Sequence, residues 1–273
     1  MTNFVKRTIF GTLYVALVVT SLLLLQPYYF GFVFLLLSMG SVREFHRITH
    51  SDMFLTASGV VLSGLLFCGL WTWMTSTAIV FASTYWILLI YFALLLVAIV
   101  AELFRKAENP IRNWGLLFTG QVMVALPFAL MALIFDEAPM LLLALFVIIW
   151  LNDSGAYCVG SLLGRHKMIP RVSPGKTWEG LIGGMVVALA VGYVFLADPF
   201  GFTGLSYTAW QALLVSFFIV VFGTLGDLME SLLKRTLGIK DSGNILPGHG
   251  GFLDRFDSVL FATYAVAFLL AVM

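Results

Sequence analysis

The sequence predicts an all-α, polytopic integral membrane protein with about nine transmembrane helices and a cytoplasmic N-terminus. Three observations carry that expectation. The 273 residues are 61% hydrophobic and 11% charged, with a mean hydropathy of +1.02, whereas soluble domains carry about 25% charged residues. Long stretches contain no charge at all. The Lys and Arg residues also fall in alternate connections between those stretches, as they do in multi-pass proteins.

A helical span needs roughly 20 apolar residues. Residues 8–42 lack any charge and break at Gln26-Pro27-Tyr28-Tyr29, which predicts two spans joined by a turn. The run follows Lys6 and Arg7 but exceeds a signal-peptide core and lacks a small-residue cleavage site, so both spans are expected to be retained. Residues 54–101 are again too long for one helix, and the stretch beginning at Trp71 predicts the turn. Single spans follow at 113–135 and 138–160, the latter interrupted near its end by Asn152-Asp153. Segments 180–197, 199–226 and 258–273 supply the last three.

With nine spans and the N-terminus inside, the inner segments are 1–7, 43–53, 102–112, 161–179 and 227–257, and together they hold all 15 Lys and Arg. The outer turns hold Asp136, Glu137 and Asp198. One span more or fewer would scramble this segregation. The chain is expected to form a single membrane domain over 1–273, with N-terminal spans in 1–135 and the active site in 136–273. Cys68 and Cys158 lie in or beside apolar runs without partner spacing, which argues against a disulfide framework or a zinc site.

Polar chemistry concentrates between Gly226 and Asp257, which hold five carboxylates, four cations, one histidine and six glycines. If the preceding helix continues, Asp227, Glu230 or Ser231, and Lys234 share a face at spacings of three and four. That pattern suits either a functional face or a solvated helix end with a Glu–Lys pair, and Lys234-Arg235 also suits an anionic-lipid contact. Asp254 and Asp257 fall in the first turns of the last apolar helix, where the helix dipole favours carboxylates. Capping explains one of them; the pair, with Asp227, equally suits a hard divalent cation. Pro247-Gly248-His249-Gly250-Gly251 is either a plain turn or a backbone cradle for phosphate oxygens.

The other polar inner loop ends in Arg171-Val-Ser173-Pro-Gly175-Lys176-Thr177-Trp-Glu-Gly180. A P-loop would need glycine five residues before Gly175, where Pro170 stands, and a strand context that a helical membrane protein lacks. The loop suits anionic oxygens without that motif. Asn152-Asp153 lies within a span, where an ionisable residue faces a cavity or a partner. Arg43-Glu44 reads as an interfacial ion pair.

The 27 residues from Ser231 to Asp257 resemble the signature of the phosphatidate cytidylyltransferase (CDP-diacylglycerol synthase) family. Ser231, Lys234, Arg235, Lys240, Asp241, Pro247, His249, Gly250, Gly251, Asp254, Arg255 and Asp257 carry the resemblance, which extends to Asn152-Asp153, Ser173–Gly180 and Gly226-Asp227. The first 140 residues match in hydrophobic character alone. The resemblance implies transfer of a cytidylyl group from CTP to phosphatidic acid, with release of pyrophosphate, in phospholipid biosynthesis. It implies catalytic Asp227, Lys234, Arg235, Asp254 and Asp257, with Asp227, Asp254 and Asp257 as ligands of Mg²⁺ and room for a second cation. Substrate contacts would come from Asn152, Asp153, Ser173, Lys176, Lys240, Asp241, His249, Gly250, Gly251 and Arg255.

Membrane lipids are the expected surroundings, nucleic acid is not an expected partner, and a homodimer is compatible with the resemblance. The implied location is the cell (inner) membrane, with the active site facing the cytoplasm. A CTP-dependent lipid kinase and an anionic-solute transporter are the competing readings. The transporter would need polar residues at mid-span, where this sequence is mostly apolar.

Overall fold

A computed structural model describes residues 3–24, 27–74, 78–243 and 250–273. The chain is an all-α polytopic membrane protein, and its packing groups it into two compact units. The first is Met1–Glu137 with Asp241–Arg255; the second is Ala138–Lys240 with Phe256–Met273. Among the described residues, seven helices are long and apolar enough to cross a membrane.

In the first unit α1 (Asn3–Leu23) and α2 (Pro27–Ile48) occupy the two N-terminal runs. The described apolar part of α1, Gly11–Leu23, is shorter than a full span. Pro27 opens α2 because proline at the first helical position lacks only a donor that would be unused there. Helices α3 (Met53–Met74) and α4 (Ala78–Arg105) follow, and residues 75–77 of the expected turn lie outside the described residues. Asn109 caps α5 (Pro110–Gly120) by accepting the Arg112 amide at 2.9 Å. A π-helical turn, Gln121–Ala125, joins α5 to α6 (Leu126–Glu137) within one span. Phe30, Phe34 and Phe128 are fully buried in this unit's core.

Cations at the helix ends of this unit hold it together. Arg105 pairs with Asp52 at 2.5 Å and with Glu102, while Arg112 donates to the Thr49 carbonyl at 2.6 Å. The expected Arg43–Glu44 interfacial pair is not what forms at Glu44. That residue is only 2% exposed and accepts hydrogen bonds from the Ser242 hydroxyl and the Phe252 amide.

The second unit begins with α7 (Pro139–Leu163), which runs uninterrupted through Asn152-Asp153. The expected break is absent because a polar side chain leaves the main-chain ladder intact. A short antiparallel hairpin follows, β1 (Lys167–Ile169) against β2 (Ser173–Thr177), with Lys167 opposite Thr177 and Ile169 opposite Ser173. The loop around Lys176 therefore does have strand context, contrary to expectation. It is a hairpin arm rather than the strand of a parallel β-α-β unit, and Pro170 still excludes a P-loop.

Thr177 caps α8 (Trp178–Gly192) by accepting the Gly180 amide at 3.1 Å. A π-turn, Tyr193–Ala197, ends that span. Asp198 then takes a left-handed conformation and accepts the amides of Phe202, Thr203 and Gly204 at 2.6–2.9 Å, ordering the connection. Thr208 and Gln211 form a capping box that starts α9 (Ala209–Thr236). Helix α10 (Leu253–Val272) closes the chain.

Candidate active site

The site of the second unit is built from side chains of three helices and the hairpin. Helix α9 does continue past Gly226, so Asp227, Glu230, Ser231 and Lys234 lie at i, i+3, i+4 and i+7 on one face. Two bonds within the helix make that face rigid. The Ser231 hydroxyl donates to Asp227 Oδ1 at 3.2 Å, and Lys234 Nζ meets Glu230 Oε2 at 3.0 Å with both side chains largely buried.

The hairpin delivers the partner that α9 cannot supply. Lys176 Nζ lies 2.7 Å from Asp227 Oδ2, with the two side chains 25% and 28% exposed. Lys176 stands on β2 immediately before the Thr177 cap, so the start of α8 fixes its origin. Arg235 Nε donates to the Val172 carbonyl at 3.3 Å, tying α9 to the turn between β1 and β2.

From α7, Asp153 comes within electrostatic range of Asp227 and Lys176. Asn152 is buried and donates to Asp153 Oδ1 at 3.3 Å; its own Oδ1 has no hydrogen-bond partner among the described residues. From α10, Asp257 interacts electrostatically with Asp227, Glu230 and Lys234 and accepts the Ser258 amide at 2.6 Å. Helices α9 and α10 can meet this closely because position 226 is glycine: a Cβ there would stand 2.5 Å from the Asp257 carbonyl oxygen.

Asn152, Asp153, Lys167, Lys176, Thr177 and Asp227 line a pocket of about 500 Å³ beside this cluster. Ala156, Gly160 and Gly180 also line it, and they belong to a seam of small residues between α7 and α8. A Cβ on Gly155 would meet Val187 at 3.0 Å and the Gly184 Cα at 3.3 Å, and one on Gly183 would run into Val159. Small residues of this kind let helix backbones approach in a membrane.

Ser173 begins β2, Lys240 and Asp241 are exposed beyond the end of α9, and His249 lies outside the described residues. Asp254 belongs to the first unit, where its Oδ2 accepts the Ser242 amide, the Ser242 hydroxyl and the Gly251 amide at 2.8–2.9 Å. Gly250 has φ +80°, which favours glycine, and a Cβ there would strike the Asp254 carboxylate. Arg255 receives the Tyr14 hydroxyl on its carbonyl at 3.1 Å. Glu230, read from sequence as sharing the α9 face and pairing with Lys234 but not counted among the site residues, belongs to the cluster around Asp227 and Asp257. Glu44, read as half of an interfacial ion pair, is instead buried against Ser242 and Phe252.

Asp153, Asp227, Glu230 and Asp257 against Lys176 and Lys234 make a dense array of opposite charges beside an open pocket. Among the described residues, no three Asp, Glu, His or Cys side chains form a ready metal cage. The donor chemistry nevertheless fits Mg²⁺, which takes one or two carboxylates plus substrate phosphates and waters instead of an all-protein cage. Such a surface, cationic and carboxylate groups side by side, can bind phosphate oxygens and compensate their charge as a P–O bond is exchanged.

Residues 5–273 match the model of the Cytidylyltransferase family. The chain is 49% identical over 128 residues to the phosphatidate cytidylyltransferase of Staphylococcus haemolyticus (strain JCSC1435), covering 47% of this chain and 48% of that one. It is 52% identical over 130 residues to that of Bacillus subtilis (strain 168), covering 46% and 45%. A third, from Staphylococcus epidermidis (strain ATCC 12228), is 51% identical over 116 residues, covering 42% and 43%. The chain thus spans about half the length of the curated relatives it matches.

Proposed function

The chain belongs to the cytidylyltransferase family, and on that footing we propose that it transfers the cytidylyl group of CTP to phosphatidic acid. The observation that carries the proposal is the Lys176–Asp227 pair at 2.7 Å, set on the pocket wall and surrounded by Asp153, Asp257, Glu230 and Lys234.

In this reaction an oxygen of the lipid phosphate forms a bond to the α-phosphorus of CTP. The bond from that phosphorus to the β-phosphate bridge breaks, and pyrophosphate leaves with the electron pair. A phosphate monoester is largely ionised near neutral pH (second pKa about 6), so the attacking oxygen needs no strong general base. The task left to the protein is to bring two polyanions together and steady the charge of the leaving group. Lys176, reaching in from the hairpin, and Lys234 and Arg235 on α9 would clamp phosphate oxygens. Asp227 and Ser231 hold Lys176 in place through the bonds already described.

Asp227 and Asp257 would hold Mg²⁺, which supplies charge neutralisation for the pyrophosphate when bound. Asp254, engaged with Ser242 and Gly251, orders the glycine loop on this reading. The alternate placement of Lys and Arg supports a cytoplasmic face for the site and the cell membrane as its location. The diacyl tails would then stay in the bilayer while the head group meets soluble CTP.

Purified protein incubated with CTP labelled at the α- or γ-phosphate, phosphatidic acid and Mg²⁺ tests the assignment. Label from the α-phosphate should enter the lipid with release of pyrophosphate, and EDTA should stop it. Lipid labelled from the γ-phosphate alone would overturn the proposal in favour of a kinase.

A further inference from the structure

Helix α2 belongs to the half of the chain that carries no signature residue, yet it reaches the signature loop. Segment 241–255 packs in the same unit as the first 137 residues. Glu44, in the last turns of α2, sends one carboxylate oxygen to the Ser242 hydroxyl and the other to the Phe252 amide at 2.9 Å. Arg47, one turn on, donates to the Ser242 carbonyl at 2.9 Å. Both described ends of the loop are therefore attached to one turn of one helix.

Gly243 and Gly251 follow from this attachment. A Cβ on Gly251 would overlap the Glu44 carboxylate, and one on Gly243 would lie 2.8 Å from an Arg47 nitrogen and 3.1 Å from Glu44. Phe252 is itself held close, because a Cβ on Gly40 of α2 would touch its ring at 3.0 Å. Glu44 and Ser242 are each 2% exposed, so these hydrogen bonds are shielded from water.

We propose that Glu44 is a positioning residue for the cytidylyl transfer: a buried carboxylate on α2 that clamps Ser242 and Phe252 and, through Ser242, orients Asp254. The assignment of a role in turnover rests on the proposed function; the clamp itself does not. The hydrogen-bond pattern predicts which substitution is tolerated. Ser242 has one hydroxyl hydrogen facing two carboxylates, Glu44 and Asp254. Glutamine at 44 can accept the Phe252 amide through its oxygen and donate its amide hydrogen to Ser242 Oγ, which then donates to Asp254. Alanine can do neither.

The test compares the full-length wild type with Glu44→Ala and Glu44→Gln, measuring turnover of CTP with phosphatidic acid and amide hydrogen exchange. Glu44→Ala should speed exchange at Ser242, Gly251 and Phe252 by at least about tenfold and lower kcat by a similar factor, with the spans still protected. Glu44→Gln should restore both to within about threefold of wild type, because it keeps the donor and acceptor count. Unchanged exchange in Glu44→Ala, a rise spread over the whole chain, or equal loss in both variants would overturn the clamp. If Glu44→Ala does not fold, Gly251→Ala should give the same local loss by displacing the carboxylate, and normal turnover in that variant would overturn it. A wild type that makes no CDP-diacylglycerol removes the proposed function, while the exchange pattern still decides on the clamp.

Discussion

Replacing Gly226 with alanine should separate activity from stability. The new Cβ would lie 2.5 Å from the Asp257 carbonyl oxygen and 2.9 Å from the Phe261 Cβ, against an ordinary contact of 3.4 Å or more. Both obstacles belong to the α10 backbone or its first side-chain atom, so no rotamer change relieves them. In a close-packed interior the two helices must part by roughly 1 Å.

Overpacking of this size costs about 1–3 kcal/mol, and alanine returns up to about 1 kcal/mol through its better helix propensity. The net loss of stability is therefore small, about 0–2 kcal/mol. Turnover is more sensitive, since α9 carries Asp227 and α10 carries Asp257. A 1 Å misplacement at a reacting centre costs about 10²-fold. Steady-state kcat beside a thermal melt in the same detergent reads both effects. Gly115→Ala is the control, because a Cβ there meets nothing within 4 Å; it should leave turnover intact and gain about 0.5–1 kcal/mol. A Gly226→Ala protein with wild-type kcat would refute the argument that this glycine sets the spacing of the two carboxylates.

Other perturbations reach different parts of the chain. Asp227→Asn removes the charge facing Lys176 and should lower kcat by about 10²–10³-fold; a loss below fivefold in the CTP assay would take Asp227 out of the chemistry. Thr177→Val deletes the cap of α8 and should cost about 1 kcal/mol, read as a lower melting temperature that Thr177→Ser largely restores. Asp198 supplies a pH test. Burial works against its ionisation, but the amides of Thr203, Gly204 and Phe202 prevail and hold its carboxyl below the usual 3.8. Its contribution is present above that value and is lost as pH falls through the lower folded value. Asp198→Asn should therefore melt lower than wild type near neutral pH and lose less on acidification. Parallel melting curves for the two proteins down to pH 3 would contradict this.

The spans were legible because their cause is local: a charge-free run cannot stay in water, and a helix satisfies its own backbone in lipid. The α9 face was legible for the same reason, since Asp227, Ser231 and Lys234 are placed by helical spacing alone. Asn152-Asp153 misled as a break because polarity was read as a backbone signal, whereas these residues act through side chains at the pocket. The hairpin left little trace, as strands of three and five residues rich in Lys, Pro and Gly show no apolar alternation. Contacts between distant segments left none. Neither the Lys176–Asp227 pair nor the attachment of Glu44 to Ser242 follows from spacing, and in the sequence Glu44 reads as an interfacial ion-pair partner of Arg43.

The glycine seam between α7 and α8 has a mechanical consequence. Where Gly155 faces Gly184 and Gly160 faces Gly180, main chain lies near main chain, and the side chains that close the contact, Val187 and Thr177, are both β-branched and stiff at χ1. That side of the pocket is stiff. The lining also includes a hairpin of short strands, anchored by the Thr177 cap and by the Arg235 bond to Val172. Lys176 stands on that hairpin one residue before the Thr177 cap, and its ammonium bridges from the strand to Asp227 of α9.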